Sequence, residues 1–167
     1  MTLETPRLRI RELAPADAPF ILTLLNDPDF LRNIGDRNVR TLEDARRYIE
    51  AGPMASYARH GFGLCHVELR ASGEAIGICG VLKRDELPGP DLGFAFLPAH
   101  RSQGYALESA TAVLSHAREV LRLPRLLAIV NPDNAASIRL LEKLGFGFER
   151  MIQLNGRTIE LKLFALE

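Results

Sequence analysis

The sequence lacks a net charge, because its 167 residues include 21 lysines and arginines and 21 aspartates and glutamates. This balance disfavours a broad surface for nucleic acid or for an anionic membrane, although it leaves room for a small basic site. Long apolar runs are also missing. No segment approaches the roughly 20 apolar residues of a membrane-spanning helix, and residues 1–13 hold no apolar core of a secretory signal. We therefore expect neither a nucleic-acid partner nor a membrane partner.

Cysteine is scarce, since Cys65 and Cys79 are the only two and fall in separate strand-like segments. They form no CxxC motif and no disulfide framework, and no nearby base marks either as a reactive thiolate. We interpret both as small buried hydrophobic residues and expect a cytoplasmic protein. The four histidines lack the HExxH and HxH spacings of metal sites, so we predict no metal.

What the sequence does contain is an alternation of short strands and helices. Its length, with 47% hydrophobic and 25% charged residues, is typical of one globular domain, to which we assign residues 1–167. Periodicity and turn residues predict strands at 7–12, 61–70, 75–84, 91–98, 125–130 and on both sides of Asn155-Gly156. They predict helices at 14–27, 41–52, 106–121 and 131–145. The second of these helices has a Thr41–Asp44 capping-box pattern and is expected to end at Gly52.

This order of elements indicates a mixed α/β fold. The run RLLAIV at 125–130 is short and continuously apolar, which is typical of a strand buried on both faces by parallel pairing. Together with the strand 91–97 and the helix 106–121, it predicts a parallel β-α-β unit in the middle of the chain. An antiparallel hairpin precedes this unit, and Asn155-Gly156 is a strong signal for another hairpin after it.

The segment RSQGYA at 101–106 stands where a predicted strand ends and a helix begins. A helix N-terminus presents unpaired N–H groups and the positive end of the helix dipole. Gly104 and the small Ala106 let the backbone approach an anion closely, and Arg101 adds positive charge. The local alternative is a turn in which the glycine only satisfies geometry. Neither a GxxxxGK[ST] loop nor a GxGxxG motif that opens a β-α-β unit is present.

RSQGYA resembles the Q/R-x-x-G-x-G/A signature of the GNAT superfamily of acetyl-CoA-dependent N-acetyltransferases. Three segments are similar to its RimJ/RimL-like branch: TPRLRIREL at 5–13, DLGFAFLPAHRSQGYALES at 91–109 and NPDNAASIRLLEKLGFGFE at 131–149. The resemblance covers essentially the whole chain in the right order. It implies a GNAT-like fold, with a central, twisted, mostly antiparallel sheet, a splayed parallel strand pair in its middle, and helices on both faces.

The resemblance also implies acetyl-CoA as the co-substrate. In the family, the strand matching 91–97 diverges from the one matching 125–130, and the pantetheine arm lies in the gap. Backbone groups around Phe94, Phe96 and Leu97 would therefore hold the acetyl and pantetheine units. The pyrophosphate would be held by the N–H groups of Arg101, Ser102, Gln103, Gly104, Tyr105 and Ala106.

The predicted helix 131–145 carries three positions that the resemblance distinguishes. Asn134 matches a family asparagine that contacts the cofactor arm, with simple helix capping as an equal alternative. Ser137 stands where the RimL-like branch often has a serine close to the sulfur, and it would hydrogen-bond the leaving thiolate. Its alternative role is to help cap the helix. Many relatives have a tyrosine where this chain has Leu141, so the family's usual general acid is missing.

The general base is left open between several groups. Asp91 begins the strand predicted to carry the acetyl group, where relatives often place an acidic residue. The alternative for Asp91 is an ordinary exposed carboxylate at the end of a loop. Glu68 and Asp85 are weaker candidates, and water can carry the proton without a dedicated base.

The acceptor is not selected by the sequence. In this fold the first helices and the segment 27–40 shape the acceptor side, and here that segment holds Asp27, Asp29, Asp36, Arg32, Arg37 and Arg40. The resemblance implies direct attack of a primary amine on the thioester in a ternary complex. Its acceptor would be a protein N-terminus or a small amine, and a homodimer is in keeping with the family. The alternative is a non-catalytic acetyl-CoA-binding sensor.

Overall fold

The computed structural model describes all of residues 1–167, which form eight strands and six α-helices. The strands are β1 (Thr2–Glu4), β2 (Leu8–Glu12), β3 (Leu64–Leu69), β4 (Ala75–Leu82), β5 (Asp91–Phe96), β6 (Leu126–Val130), β7 (Gly147–Ile152) and β8 (Leu161–Leu166). The helices are α1 (Ala18–Leu25), α2 (Pro28–Asn33), α3 (Leu42–Ile49), α4 (Ala55–His60), α5 (Tyr105–Glu119) and α6 (Ala135–Lys143). Every predicted element is present, and β1, α2 and α4 are additional to the prediction.

All eight strands form one sheet in the order β1-β2-β3-β4-β5-β6-β8-β7. Every neighbouring pair is antiparallel except β5 and β6, which are parallel and are connected through α5. This confirms the predicted mixed α/β fold with one parallel pair inside a mostly antiparallel sheet. The parallel pair has a single register partner, Asp91 with Leu127, so the two strands diverge beyond that point.

Helices cover both faces of the sheet, and the alternation of β5 defines the two faces. Phe96 belongs to the core that α5 covers, whereas Ala95 packs against the core of α1 and α3. Successive side chains of a strand point to opposite faces, so Asp91 and Gly93 share the side of Ala95, which we call the α3 face. No helix in the structure has both the length and the apolar character needed to cross a membrane.

The prediction that the second helix ends at Gly52 is wrong, because the chain stays helical to His60. Its start is as predicted: Thr41 Oγ1 accepts a hydrogen bond from Asp44 N at 3.0 Å in a capping box. The residues Glu50–Met54 then form a single π-helical turn. This wider turn accommodates the proline after Gly52, which has no N–H to donate and would otherwise break the helix.

The connection between β7 and β8 also differs from the prediction. The strands pair antiparallel, but residues 153–160 separate them, so the loop is longer than a two-residue hairpin turn. Within it, Arg157 N donates to Leu154 O at 3.1 Å, and Gly156 has a φ of 78°. Asn155-Gly156 therefore marks a tight turn inside the loop and not the closure of the hairpin.

Cys65 and Cys79 lie opposite each other on β3 and β4. Both are buried with free thiols, and burial raises the pKa of each thiol to about 12. Thiols with such pKa values are not ionised at neutral pH. The interpretation of both cysteines as small buried hydrophobic residues is confirmed.

Candidate functional site

The gap between β5 and β6 opens immediately after their one pairing. At its closed end, Leu127 N donates a hydrogen bond to Pro90 O at 2.9 Å. Further along, Phe94 and Ile129 have no pairing partner across the gap. The middle of the sheet therefore contains two strand edges with unpaired backbone groups, and backbone groups away from water need hydrogen-bond partners.

Backbone directions in β5 determine which residues face this gap. Leu97 N donates to Ile76 O at 2.9 Å on the β4 side, and Leu97 O accepts from His100 N at 3.0 Å. Backbone groups alternate sides along a strand, so those of Phe94 and Phe96 point away from β4 and into the gap. Phe94 and Phe96 thus lie where the sequence predicts them, whereas both backbone groups of Leu97 are engaged elsewhere.

The turn at 101–106 presents consecutive N–H groups at the start of α5. Among them, the N–H groups that follow Arg101 have no hydrogen-bond partner within the protein. Ser102 and Gly104 both have positive φ, 61° and 84°, and left-handed residues in such a turn bring successive N–H groups to one side, where they bind anions. Arg101 is the exception, because its N–H donates to Pro98 O at 3.3 Å.

The side chain of Arg101 is also engaged. Its Nε donates to Phe96 O at 3.0 Å, its Nη2 to Asp27 at 2.8 Å, and its Nη1 to Asp29. Two carboxylates balance the charge of the guanidinium, which fastens the start of α2 to the end of β5. This differs from the expectation that Arg101 offers free positive charge at the turn.

A second arginine at the turn, Arg7, was not predicted. Its Nη1 donates to Gln103 O at 3.0 Å, its Nε pairs with Glu108 at 2.7 Å, and its guanidinium lies 4.4 Å from the ring centre of Tyr105. These contacts hold the turn and the first residues of α5 against the N-terminal strands. No local signal in the sequence connects Arg7 with a residue 96 positions later.

A cavity of about 860 Å³ joins the gap, the turn and α6. Its walls include β5 from Asp91 to Phe96, part of β6, and Ser137 and Asn134 of the α6 region. The segment 29–37 contributes to the opposite wall. This volume is in the range of sites that bury small-molecule ligands. Asp91, Ser137 and the predicted cofactor-site residues all line the cavity, except Leu97 and Gln103.

Asp91 is buried at the closed end of the gap. Its side chain is 0% exposed, and its two oxygens accept from Arg84 Nε at 3.3 Å and 3.1 Å. Burial raises the pKa of Asp91 to about 6, and the charge of Arg84 opposes that rise. The alternative of an exposed carboxylate is therefore wrong. A carboxyl group whose pKa is close to neutral is suited to accepting a proton.

The two weaker candidates for the base lie outside the cavity. Glu68 is on β3, where its carboxylate pairs with Arg11 at 3.1 Å and lies 3.3 Å from His66 Nδ1. Asp85 is exposed in the connection between β4 and β5. Of the three carboxylates considered, only Asp91 reaches the site.

Helix capping and contact with the cofactor were the two alternatives for both Asn134 and Ser137. In the structure only Asn134 caps α6. Asn134 Oδ1 accepts from Ser137 N at 3.2 Å, so Asn134 caps the helix. The Oγ of Ser137 makes no hydrogen bond within the protein, and the residue lines the cavity, so its hydroxyl is not used for capping. Leu141, one turn later, is 1% exposed in the core and supplies no hydroxyl.

Other residues of the cavity wall were missed by the sequence reasoning. Tyr48 comes from α3, Arg84 from the connection after β4, and Arg157 from the connection before β8. Asn131, which follows β6, is buried there and donates to Arg32 O at 3.3 Å. These side chains meet only because the fold brings distant segments together, and none belongs to a local motif.

Comparison with known proteins identifies this architecture. The family model described as "Acetyltransferase (GNAT) domain" matches residues 7–147. The chain belongs to the GNAT acetyltransferase family. It is 30% identical to the uncharacterized N-acetyltransferase YoaA of Bacillus subtilis (strain 168), over 98% of this chain and 95% of that protein. It is 26% identical to the uncharacterized N-acetyltransferase p20 of Bacillus licheniformis, over 99% and 95%.

Solved GNAT structures have the same fold. The acetyltransferase from Agrobacterium tumefaciens str. C58 superposes with a TM-score of 0.84 at 28% identity, covering 100% of this chain and 94% of that one. RimL, a ribosomal L7/L12 alpha-N-protein acetyltransferase in complex with coenzyme A, gives a TM-score of 0.86 at 16% identity, covering 99% and 97%. The predicted GNAT fold and the predicted acyltransferase class are confirmed, and GNAT acetyltransferases use acetyl-CoA.

Proposed function

We propose that this GNAT protein is an acetyl-CoA-dependent N-acetyltransferase, built as one domain over residues 1–167, that transfers the acetyl group to a primary amine by direct attack in a ternary complex. The observation that carries the proposal is the continuity of three features. A turn with unpaired N–H groups, an open strand edge and a buried carboxylate follow one another along a single cavity.

In the proposed complex, acetyl-CoA would extend from the turn at 101–106 along the open edge of β5 toward Asp91. Its pyrophosphate would bind the N–H groups that follow Arg101, namely those of Ser102, Gln103, Gly104, Tyr105 and Ala106. Its pantetheine amides would pair with the gap-facing backbone of Phe94 and with the N–H of Phe96, whose carbonyl oxygen already accepts from Arg101 Nε. Arg101 and Leu97 contribute indirectly, because their own groups are already hydrogen-bonded within the protein. Asn134 acts through the cap of α6.

The reaction needs a proton acceptor and two hydrogen-bond donors. A primary amine has a pKa of about 8 to 10, so it must lose a proton to attack. Asp91, largely ionised at pH 7, accepts that proton directly or through water. The nitrogen then bonds to the acetyl carbon, and the tetrahedral intermediate collapses as the carbon–sulfur bond breaks and the nitrogen loses its second proton to water. The free N–H of Phe94 stabilises the carbonyl oxygen as charge develops on it.

The departing thiolate also needs stabilisation. Ser137 Oγ is the free hydroxyl on the α6 side of the cavity, and it would donate a hydrogen bond to the sulfur while solvent supplies the proton. Leu141 takes the position of the tyrosine that many relatives have, so catalysis here relies on a weaker donor. This assignment makes Ser137 a catalytic residue through its contact with the leaving group.

Features of the RimJ/RimL-like branch support a protein N-terminus or a small amine as the acceptor. The segments at 5–13, 91–109 and 131–149 are similar to that branch, and RimL has the same fold. We further propose a cytoplasmic location, since both cysteines are free, and a homodimer as in related proteins.

Calorimetric titration with acetyl-CoA, with desulfo-CoA and ATP for comparison, tests the cofactor assignment. The same sample is then assayed for free thiol with a panel of amines and N-terminal peptides. Binding together with amine-dependent thiol release supports the transferase. Binding with no release from any acceptor contradicts the catalytic proposal and favours a sensor. Absence of binding contradicts the cofactor site itself.

A further inference from the structure

Charge around the cavity is unbalanced, although the chain as a whole is neutral. Seven lysine and arginine side chains line the cavity, compared with two carboxylates. The basic residues are Arg32, Arg37, Arg84, Arg101, Arg139, Lys143 and Arg157. The acidic residues are Asp29 and Asp91. Asp27 also pairs with Arg101 from outside the cavity lining, and the positive charges still outnumber the carboxylates.

Three of these residues, Arg37, Arg84 and Arg157, form what we call the arginine cluster. Arg37 Nη1 and Arg157 Nη1 lie 3.7 Å and 3.8 Å from the same point, the position that a Cβ atom would take on Gly35. Arg157 Nη1 also donates to Ile34 O at 2.8 Å, which fixes its guanidinium. Arg84 pairs with Asp91, and neither Arg37 nor Arg157 forms an ion pair.

The arginine cluster lies away from the proposed pyrophosphate site. Arg84 is anchored on Asp91 at the first residue of β5, whereas the 101–106 turn follows the last. β5 has six residues, so at about 3.3 Å per residue the strand separates the two by about 16 Å. Arg157 Nη2 lies 3.5 Å from Asn131 Oδ1, beside the 29–37 segment. The cluster therefore faces the acceptor side of the cavity.

The arrangement of like charges in the cluster is unfavourable in the free protein. Burial and repulsion from Arg37 and Arg84 lower the pKa of Arg157. Burial raises the pKa of Tyr48, and the same two arginines oppose that rise, so these groups are close enough to interact. An anion among the guanidinium groups would remove the repulsion, and a cation would increase it.

We infer that the acceptor amine carries an anionic group, a carboxylate or a phosphate, which binds to Arg37 and Arg157. Guanidinium groups bind both anions through paired N–H donors. The anion anchors the substrate while its amine reaches the thioester beside Asp91, and acetyl transfer proceeds as described above. This inference rests on the proposed function and restricts its acceptors to primary amines that carry an anionic group. It disfavours polyamines, because the cluster repels additional positive charge.

Matched acceptors test the inference. Three series of primary amines with two to five methylene groups are compared: amino carboxylates, amino alkyl phosphates and amino alcohols. Each is titrated calorimetrically into protein saturated with desulfo-CoA, and each is assayed for thiol release from acetyl-CoA. At least one anionic series is expected to bind about tenfold or more tightly than the alcohols, and to show a correspondingly lower KM. The series that binds identifies carboxylate or phosphate.

Equal or weaker binding of every anionic amine relative to its alcohol would overturn the inference. The proposed function would survive that result, because acetyl-CoA binding and thiol release with the alcohols are measured in the same experiment. Failure of the proposed function would instead remove thiol release for all three series. Calorimetry still decides the anion preference in that case, since it requires no turnover.

Variants locate the anion site. Arg37→Gln and Arg157→Gln are each expected to weaken binding of the anionic amine about tenfold and to leave the alcohols and acetyl-CoA unaffected. Arg59→Gln is the matched control, because Arg59 is an exposed arginine on α4 outside the cavity. Arg37 is exposed, so its variant tests the inference even where Arg157→Gln alters folding. Equal losses for anionic and neutral amines would contradict the assignment.

Discussion

Arg101 Nη2 donates a hydrogen bond to Asp27 Oδ2 at 2.8 Å, joining residues that are 74 positions apart. The same guanidinium contacts Asp29 and the carbonyl oxygen of Phe96. The first residue of the RSQGYA segment therefore connects α2 with the strand that borders the gap. Its charge serves the fold, and the backbone N–H groups after it remain free for an anion.

Arg101→Ala should therefore lower stability. Loss of hydrogen bonds to charged partners, which leaves Asp27 nearly buried without its cation, is expected to cost about 2 kcal/mol of unfolding free energy. For a chain of this size that corresponds to a decrease in Tm of about 4 to 8 °C. Differential scanning calorimetry measures this, with Arg59→Ala as the control. An unchanged Tm with weakened acetyl-CoA binding would show instead that Arg101 binds phosphate.

Gly104→Glu should abolish tight acetyl-CoA binding. The substitution adds a side chain that meets Arg7 Nη2 at 3.2 Å and a negative charge beside the proposed pyrophosphate. Like charges in contact predict a loss of affinity of at least about 100-fold by calorimetry. Gly73→Glu is the matched control, because Gly73 has a φ of 76° with open space around it and incurs the same backbone strain. Equal affinities of the two variants would remove the pyrophosphate assignment.

Ser137→Ala should lower kcat and leave acetyl-CoA affinity nearly unchanged. The lost hydrogen bond forms only as charge develops on sulfur, so kcat is expected to decrease about 10- to 100-fold. Steady-state thiol release and calorimetry separate the two quantities. Ser115→Ala, an exposed serine on α5, provides the control. Wild-type kcat at every pH tested would assign Ser137 to the helix turn alone.

Asp91→Asn should remove the decrease in kcat/KM that the wild-type protein is expected to show at acidic pH. The wild-type carboxyl has a pKa of about 6, so kcat/KM is expected to decrease about tenfold per pH unit below pH 6 as the base becomes protonated. The variant should show a low kcat/KM without that decrease. A profile of the variant that parallels the wild type would assign the proton transfer to water.

Protonation of Asp91 does not itself destabilise the fold over the same pH range. The folded pKa of Asp91 is about 6, above the value of about 3.9 for an unfolded aspartate. Between these values the folded protein binds more protons than the unfolded chain, so this group makes the fold more stable as pH falls. Thermal denaturation at pH 5 and pH 7 therefore separates loss of the base from loss of structure.

Local patterns in the sequence were sufficient to predict the elements that border the cavity next to the proposed cofactor site. The strand 91–96, the turn at 101–106 and the cap at Asn134 each depend on residues within one turn or one strand. Short-range geometry is encoded by neighbouring residues, so these features could be predicted with their residue numbers. The π-helical turn after Ile49 could not, because a glycine followed by a proline usually ends a helix.

Long-range contacts were beyond the reach of the sequence. The engagement of Arg101 with Asp27, the burial of Asp91 against Arg84, and the approach of Arg157 to Ile34 all require the folded topology. An isolated arginine in a mixed-charge loop gives no sign of its partners. This wall of the cavity is assembled from such contacts, so its excess of positive charge could not be predicted from local patterns in the sequence.

The single pairing between β5 and β6 has a mechanical consequence. The sheet consists of a five-stranded part and a three-stranded part, which are joined at the Asp91–Leu127 pair. Arg84 follows β4 in the five-stranded part, and Arg157 lies between β7 and β8 of the three-stranded part. Acetyl-CoA bound across the gap, as proposed above, would hydrogen-bond to both parts of the sheet and so link cofactor binding to the spacing of the two guanidinium groups.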